Sequence, residues 1–307
     1  MELKRVWAMY FSPTGGTEKA VRTTAQVVAE KLNLPLEIYD FTLPQGREKD
    51  AVFGEGDLVV CGTPVIAGRV PNVLLPYLTE KVKGNGAYAV PVVSFGNRNY
   101  DDALIELRNI LEQDGFRTVA GGAFVSEHSF SKTLAAGRPD AKDLASMQEF
   151  GAKIAEKLTS GWEYTAPAYV KGCDPIRPYF KPQDRHGAHI DIRKVKPKVS
   201  DACVGCGHCA EVCPMGSISR ENIREYIGIC IKCCACVKKC PKGAKYFDHE
   251  GYLYHQHELE ELYARRADSE MCRAGMVYLS QNQDFDLGGQ SLLFKKAGSF
   301  FIALMVF

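Results

Sequence analysis

Val6-Trp7-Ala8-Met9-Tyr10-Phe11 runs without a break into Ser12-Pro13-Thr14-Gly15-Gly16-Thr17, and a helical pattern then continues from Thr17 to Leu32. Six apolar or aromatic residues in a row read as a strand buried on both faces, the form found in parallel sheets covered by helices. The hydroxyls at positions 12, 14 and 17, the glycine pair and the free N–H groups of a helix start form a cradle suited to a phosphate. The loop lacks the lysine of G-x-x-x-x-G-K-[ST] and does not read G-x-G-x-x-G, so neither a nucleotide P-loop nor a dinucleotide fingerprint is present.

Outward from this segment the same alternation repeats to about residue 160. Strand patterns at Val6–Phe11, Leu36–Phe41, Asp57–Cys61, Ala87–Ser94 and Thr118–Val125 alternate with helical patterns at Thr17–Leu32, Val73–Lys83, Asp101–Asp114 and Asp140–Thr159. Such a series needs right-handed crossovers and helices on both faces of the sheet. From 161 to 198 five prolines, Pro167, Pro175, Pro178, Pro182 and Pro197, mark an extended connector with an excess of Lys and Arg, either a solvated linker or a docking surface. A cysteine-rich unit follows over 199–250. The segment 251–272 is expected to be a C-terminal helix, with helical periodicity running from His255 to Ser269. The tail 273–307 fits neither pattern and reads as a packing strand, a partner contact or a foreign extension.

The chain has 307 residues, 46% hydrophobic and 24% charged, with 38 Lys and Arg against 37 Asp and Glu. This is a globular composition, and its near-zero charge gives no electrostatic footprint for nucleic acid. No run approaches the ~20 apolar residues that cross a bilayer, and the N-terminus lacks the pattern of an export signal, so a cytoplasmic location without a membrane role is expected. Cysteine is the outlier. Of 12 cysteines, nine fall within the 38 residues from Cys203 to Cys240. In a reducing compartment that density points to metal rather than to disulfides.

Eight of the nine form two identical runs, Cys203, Cys206, Cys209, Cys213-Pro214 and Cys230, Cys233, Cys236, Cys240-Pro241. Each reads C-x2-C-x2-C-x3-C-P, the bacterial ferredoxin spacing, in which three thiolates hold one 4Fe-4S cluster and the fourth crosses to the other. One cluster is then expected on Cys203, Cys206, Cys209 and Cys240, and a second on Cys230, Cys233, Cys236 and Cys213. Zinc ribbons also use C-x2-C pairs, but duplicate quartets each closed by proline favour clusters. Gly205, Gly207 and Gly216 are expected to let backbone N–H groups approach cluster sulfides. Cys234 breaks the spacing and reads as a buried spare thiol, His208 as a loop surface residue, and Cys61, Cys173 and Cys272 as scattered packing or exposed positions.

The first loop resembles the [ST]-x-T-G-x-T loop of the flavodoxin family. Two more loops, at the carboxyl ends of strands where open α/β sheets bind ligands, extend the likeness. Gly62-Thr63-Pro64-Val65-Ile66-Ala67-Gly68 is similar to the ring-contacting loop of flavodoxin-like quinone reductases, and the stretch from Ser94 and Phe95 through Gly96-Asn97-Arg98-Asn99-Tyr100 is similar to the flavodoxin loop ending in a ring-stacking tyrosine. The resemblance implies a doubly wound, five-stranded parallel α/β sheet of order 2-1-3-4-5 that binds FMN, followed by a small α+β two-cluster ferredoxin domain. It implies that Ser12, Thr14, Gly15, Gly16 and Thr17 hold the phosphate. Pro64, Ala67 and Gly68 would then line one side of the ring, Ser94, Phe95, Gly96 and Asn97 would belong to the same site, and Tyr100 would stack on the flavin. The 60s loop has no aromatic, which leaves one ring face open.

Over about residues 1 to 270 the chain resembles fused flavodoxin-ferredoxin proteins of anaerobes. That implies an electron-transfer iron-sulfur flavoprotein working with an external redox protein such as a ferredoxin. Two other readings stay in view: an FMN-dependent reductase of a small quinone or nitro acceptor, and a redox-sensing module whose clusters are structural. No Ser/His/Asp set, paired catalytic carboxylates or H-E-x-x-H is visible, and His128, beyond the fifth strand, reads as a surface residue.

Overall fold

The computed structural model describes residues 2–184 and 186–273. Its sheet is built from β1 (Arg5–Tyr10), β2 (Leu36–Asp40), β3 (Asp57–Pro64), β4 (Tyr88–Phe95) and β5 (Ala120–Val125). Together with β6 (Glu270–Arg273) they lie in the order β2-β1-β3-β4-β5-β6. The first five strands are mutually parallel, with registers such as Val6↔Leu36, Val6↔Leu58 and Leu58↔Tyr88. This is the 2-1-3-4-5 order, and it gives the reason for the continuous apolar runs. Every residue of β4 is buried, as is all of β3 except Pro64, because helices cover both faces. The edge strand β2 is partly or fully exposed throughout.

Helices α1 (Gly16–Leu32) and α4 (Ala141–Thr159) cover one face, α2 (Leu75–Lys81) and α3 (Ala103–Gln113) the other. In α1 the buried residues Thr17, Ala20, Val21, Thr24, Ala25, Val28 and Ala29 recur at three- and four-residue intervals and form the stripe that faces the sheet. The helix α4 starts in a capping box in which the Asp140 carboxylate accepts from the N–H of Lys142 and Asp143.

The fold departs from expectation in three places. The sheet is not wholly parallel: β6 adds an antiparallel strand on the outer edge of β5, pairing Glu270↔Ala123 through Arg273↔Ala120. Its four residues carry no alternating pattern, and the exposed backbone of β5 specifies it. The C-terminal helix, α7, is Glu250–Leu262 rather than His255–Ser269. The His249 ring accepts the Tyr252 N–H at its start, and the backbone beyond Leu262 is bound by Asn97, which ends the helix. The connector is not a free linker: Ala168 and Val170 are buried, Arg177 pairs with Asp102 at 2.7 Å, and Phe180 donates its N–H to Ala67 O at 2.8 Å. The expected tail lies, from residue 274 onward, outside the described residues.

Candidate iron-sulfur and flavin-loop site

The first loop leaves β1 with its hydroxyls in place. The Ser12 N–H donates to Thr42 Oγ1 at 2.8 Å, and Ser12 Oγ accepts the Glu18 N–H at 2.9 Å, so this serine caps the first turn of α1. Gly15 turns the chain at φ 94, a conformation that disfavours any side chain, and nothing stands within 4 Å of the position its Cβ would take. The amides of Gly16 and Thr17, at the positive end of a 17-residue helix, have no acceptor among the described residues. The buried Thr17 hydroxyl meets Ser94 Oγ at 2.6 Å and so joins this loop to the end of β4. Open space above Gly15, unsatisfied amides and a helix dipole make a fit for a phosphate, and Thr14 is exposed at the mouth. Ser126, which the sequence reading missed, packs against Gly16 so closely that a Cβ there would lie 2.7 Å from Ser126 Cβ. Only the parallel alignment of β5 with β1 brings it there.

The loop after β3 makes a tight turn in which Ile66 and Arg69 exchange backbone hydrogen bonds at 3.0 and 3.1 Å. Ala67 and Gly68 both have positive φ, Ala67 is exposed, and Arg69 is fixed by Glu106 at 2.6 Å. Pro64 and Ala67 therefore remain available at the carboxyl end of the sheet.

The loop after β4 behaves differently from its expected role. Asn97 is 4% exposed: its Nδ2 donates to Tyr263 O and Arg265 O at 2.6 and 2.7 Å, and its Oδ1 accepts from Ala267 N and Arg138. Tyr100 is 3% exposed, packed on Phe95 at 5.5 Å, and donates its hydroxyl to Glu270 Oε2 at 2.6 Å. Tyr100 therefore does not present a face for ring stacking; it latches β6. Ser94 and Phe95 are buried in β4, and Gly96 is covered by His128, whose Cδ2 lies 2.4 Å from where a Gly96 Cβ would stand. His128 is thus an inner wall of this loop rather than a surface residue. Burial first, and the nearby Lys238 next, hold it down at about 4, so its ring is neutral at physiological pH.

The aromatic groups beside the loops come from farther along the chain. Phe180, 43% exposed, sits with Arg98 4.9 Å from its ring and His255 at 6.1 Å. No local pattern marks it, because its position depends on the connector folding back over Ala67.

The cysteine unit is an internal repeat with an offset of 27 positions. Its two short helices, α5 (His208–Glu211) and α6 (Ala235–Lys238), start at the equivalent residues Gly207 and Cys234, both at positive φ. Gly205 and Lys232 match likewise, at φ 69 and 56. The Ser217 N–H donates to Cys213 Sγ and the Ala244 N–H to Cys240 Sγ, each at 3.3 Å. The antiparallel contacts Val199↔Lys245 and Ile218↔Tyr226 obey the same offset crosswise. Cys234 is therefore the counterpart of Gly207 in the first half. It is the buried spare thiol expected, facing Lys232 O at 3.4 Å and Tyr252 Oη at 3.5 Å. Of the three glycines, Gly205 donates its N–H to Cys203 Sγ at 3.5 Å, whereas beyond Gly216 the donor is Ser217.

Cys213 of the first run and Cys230, Cys233 and Cys236 of the second line one cavity, walled also by Pro214, Ile218 and Tyr226. That grouping joins the fourth cysteine of one run to the first three of the other, and the donor set is all sulfur, which fits an iron-sulfur cluster. Burial pushes the Cys236 thiol up to about 12 and Cys233 well above its ordinary value. At Cys240 burial is outweighed by backbone N–H groups from Lys242 to Lys245, which hold the thiol below its usual value. Burial pushes Cys61, in β3, up to about 12, Cys173 is exposed, and His208 lies on the surface beside Glu211.

Residues 197–219 match the family described as Fer4, a 4Fe-4S binding domain. The chain therefore joins a doubly wound sheet unit to a segment similar to 4Fe-4S binding domains. Solved structures similar to it include a flavodoxin from the domain Archaea, at 16% identity over 50% of this chain and 98% of that one with a TM-score of 0.38. A Streptococcus pneumonia TIGR4 flavodoxin shows 18% identity over 50% of this chain and 99% of that one, TM-score 0.34. An NADH:FMN oxidoreductase in its apo form shows 16% identity over 51% of this chain and 91% of that one, TM-score 0.37. At these scores the fold rests on the strand order and register described above. No curated protein matches the chain. Among the described residues, no helix is long and apolar enough to cross a membrane.

Proposed function

We propose that the chain is an electron-transfer flavoprotein that holds two 4Fe-4S clusters and FMN and relays electrons between them and an external redox protein. The single observation that carries this reading is the 27-residue repeat, with Cys213 lining the same cavity as Cys230, Cys233 and Cys236. The second run repeats the turn signs and N–H···S contacts of the first, which supports a second cluster on Cys203, Cys206, Cys209 and Cys240. The amides of Gly16 and Thr17 and the Thr17 hydroxyl support FMN through its phosphate, and the Pro64–Gly68 turn supports it through its ring. When bound, FMN supplies exchange between one- and two-electron carriers, while each cluster passes single electrons.

Contacts within the chain support a close approach of these sites. Arg47 donates to Pro214 O at 2.5 Å, and Lys238 bonds both Glu127 and Ser131 O, so the cysteine unit is fastened over the carboxyl ends of the strands at two points. Val204, Ile227 and Ile229 are exposed beside the cysteines, an apolar collar suited to a protein partner. The reductase reading has less support, because Asn97 and Tyr100 are committed to residues 263–270 and leave less room beside the ring for a small acceptor.

The deciding experiment is anaerobic purification with iron, sulfide and flavin counts, followed by redox titration. Eight irons and one FMN per chain that titrate reversibly are expected, on the basis of two four-iron clusters of roughly equal type. Colourless protein, or zinc in place of iron, would overturn the reading.

A further inference from the structure

We infer that electrons pass between the second cysteine quartet and the flavin site at the carboxyl ends of the strands along one contact chain, Cys234, Tyr252, Phe130 and His128. The inference rests on the reading above and names the route within it. Cys234 adjoins the ligand Cys233, and its Sγ lies 3.5 Å from Tyr252 Oη. Tyr252 is 1% exposed, stacked on Phe247 with ring centroids 4.0 Å apart, and meets Phe130 at 4.7 Å. Phe130 belongs to the loop after β5 and contacts His128 edge-to-face at 5.5 Å. His128 covers Gly96 in the loop at the end of β4.

Lys238, bound to Glu127 and Ser131 O, ties α6 to the loop that carries His128 and Phe130. The other fastening leads elsewhere. Arg47 joins Pro214 to Phe41 O and Thr42 O, beside the phosphate loop rather than the ring loops. In each transfer one electron leaves a reduced cluster, which is oxidised by one unit, and the flavin is reduced by one. No bond of the chain forms or breaks, and any proton taken up on reduction comes from water.

The test uses the full chain carrying both cofactors, reduced by a photogenerated one-electron donor, with the cluster and flavin absorption bands followed as they exchange. Phe130→Ala, which opens a gap, is expected to slow the exchange about tenfold or more, a change of ~1.4 kcal/mol in barrier. Phe130→Tyr is expected to restore the rate, and Tyr252→Phe, which keeps the ring and loses the contact with Cys234, to slow it less than Phe130→Ala does. Iron content, flavin content and both reduction potentials are measured for every variant and are expected to match the unaltered protein, which separates coupling from damage. An unchanged rate in Phe130→Ala, or an equal slowing in Arg47→Gln, overturns the route. Absence of flavin or of the second cluster from the unaltered protein overturns the reading beneath it instead.

Discussion

Thr17 shows how much one side chain does at this site. Its hydroxyl links the phosphate loop to Ser94 across 2.6 Å, and its amide is one of the unsatisfied donors at the head of α1. Thr17→Val keeps the shape and removes the hydroxyl; FMN affinity, followed by fluorescence titration of flavin-free protein, should fall about tenfold, the effect of one hydrogen bond of ~1.4 kcal/mol. At the opposite end of the sheet, Asp114 has a buried Oδ2 with no hydrogen-bond partner among the described residues, and burial raises its carboxyl from 3.8 to about 7. The folded state therefore keeps a proton that the unfolded chain releases. Its contribution is fully present below 3.8 and is lost as pH rises to about 7, so stability falls across that window. In Asp114→Asn that fall should be shallower, as read from thermal melting at several pH values; an identical slope in both proteins would count against the assignment.

Among the elements, those with local causes were legible and those with distant causes were not. The strand order follows from five apolar runs joined by helical patterns and from the flavodoxin resemblance, and the cysteine quartets are visible because their ligands stand two or three residues apart. The strand β6 was hidden because its four residues take their conformation from the backbone of β5 nearly 150 positions earlier. Tyr100 was misread for the same reason: its partner Glu270 is 170 residues away. The end of α7 depended on Asn97, which stands far from it in sequence. Tyr100→Phe separates the two roles. Losing the bond to Glu270 should lower thermal stability by about 1–3 kcal/mol, as expected for a buried hydrogen bond to a charged acceptor, while FMN affinity stays the same. A loss of affinity without a loss of stability would restore the stacking role.

For the molecule as a whole, the cysteine unit has little apolar core of its own. Its buried cluster is Cys209, Ala210, Ile218 and Cys236, two of them cysteines of the proposed quartets. The sheet unit has two large cores, one on each face. Removing iron with a chelator should therefore loosen residues 199–248 and leave the sheet folded, because metal binding there is coupled to folding. Limited proteolysis should then cut within the cysteine unit and release a resistant N-terminal fragment; uniform digestion of the whole chain would contradict this. The route of the chain adds one more property. It leaves the sheet after α4, builds the cysteine unit and returns through α7 to lie in the same sheet as β6. A cysteine unit sewn at both ends to the sheet has no swing to make. Thickening the solvent with glycerol should leave internal transfer at its usual speed while slowing delivery from any separate protein that must diffuse in.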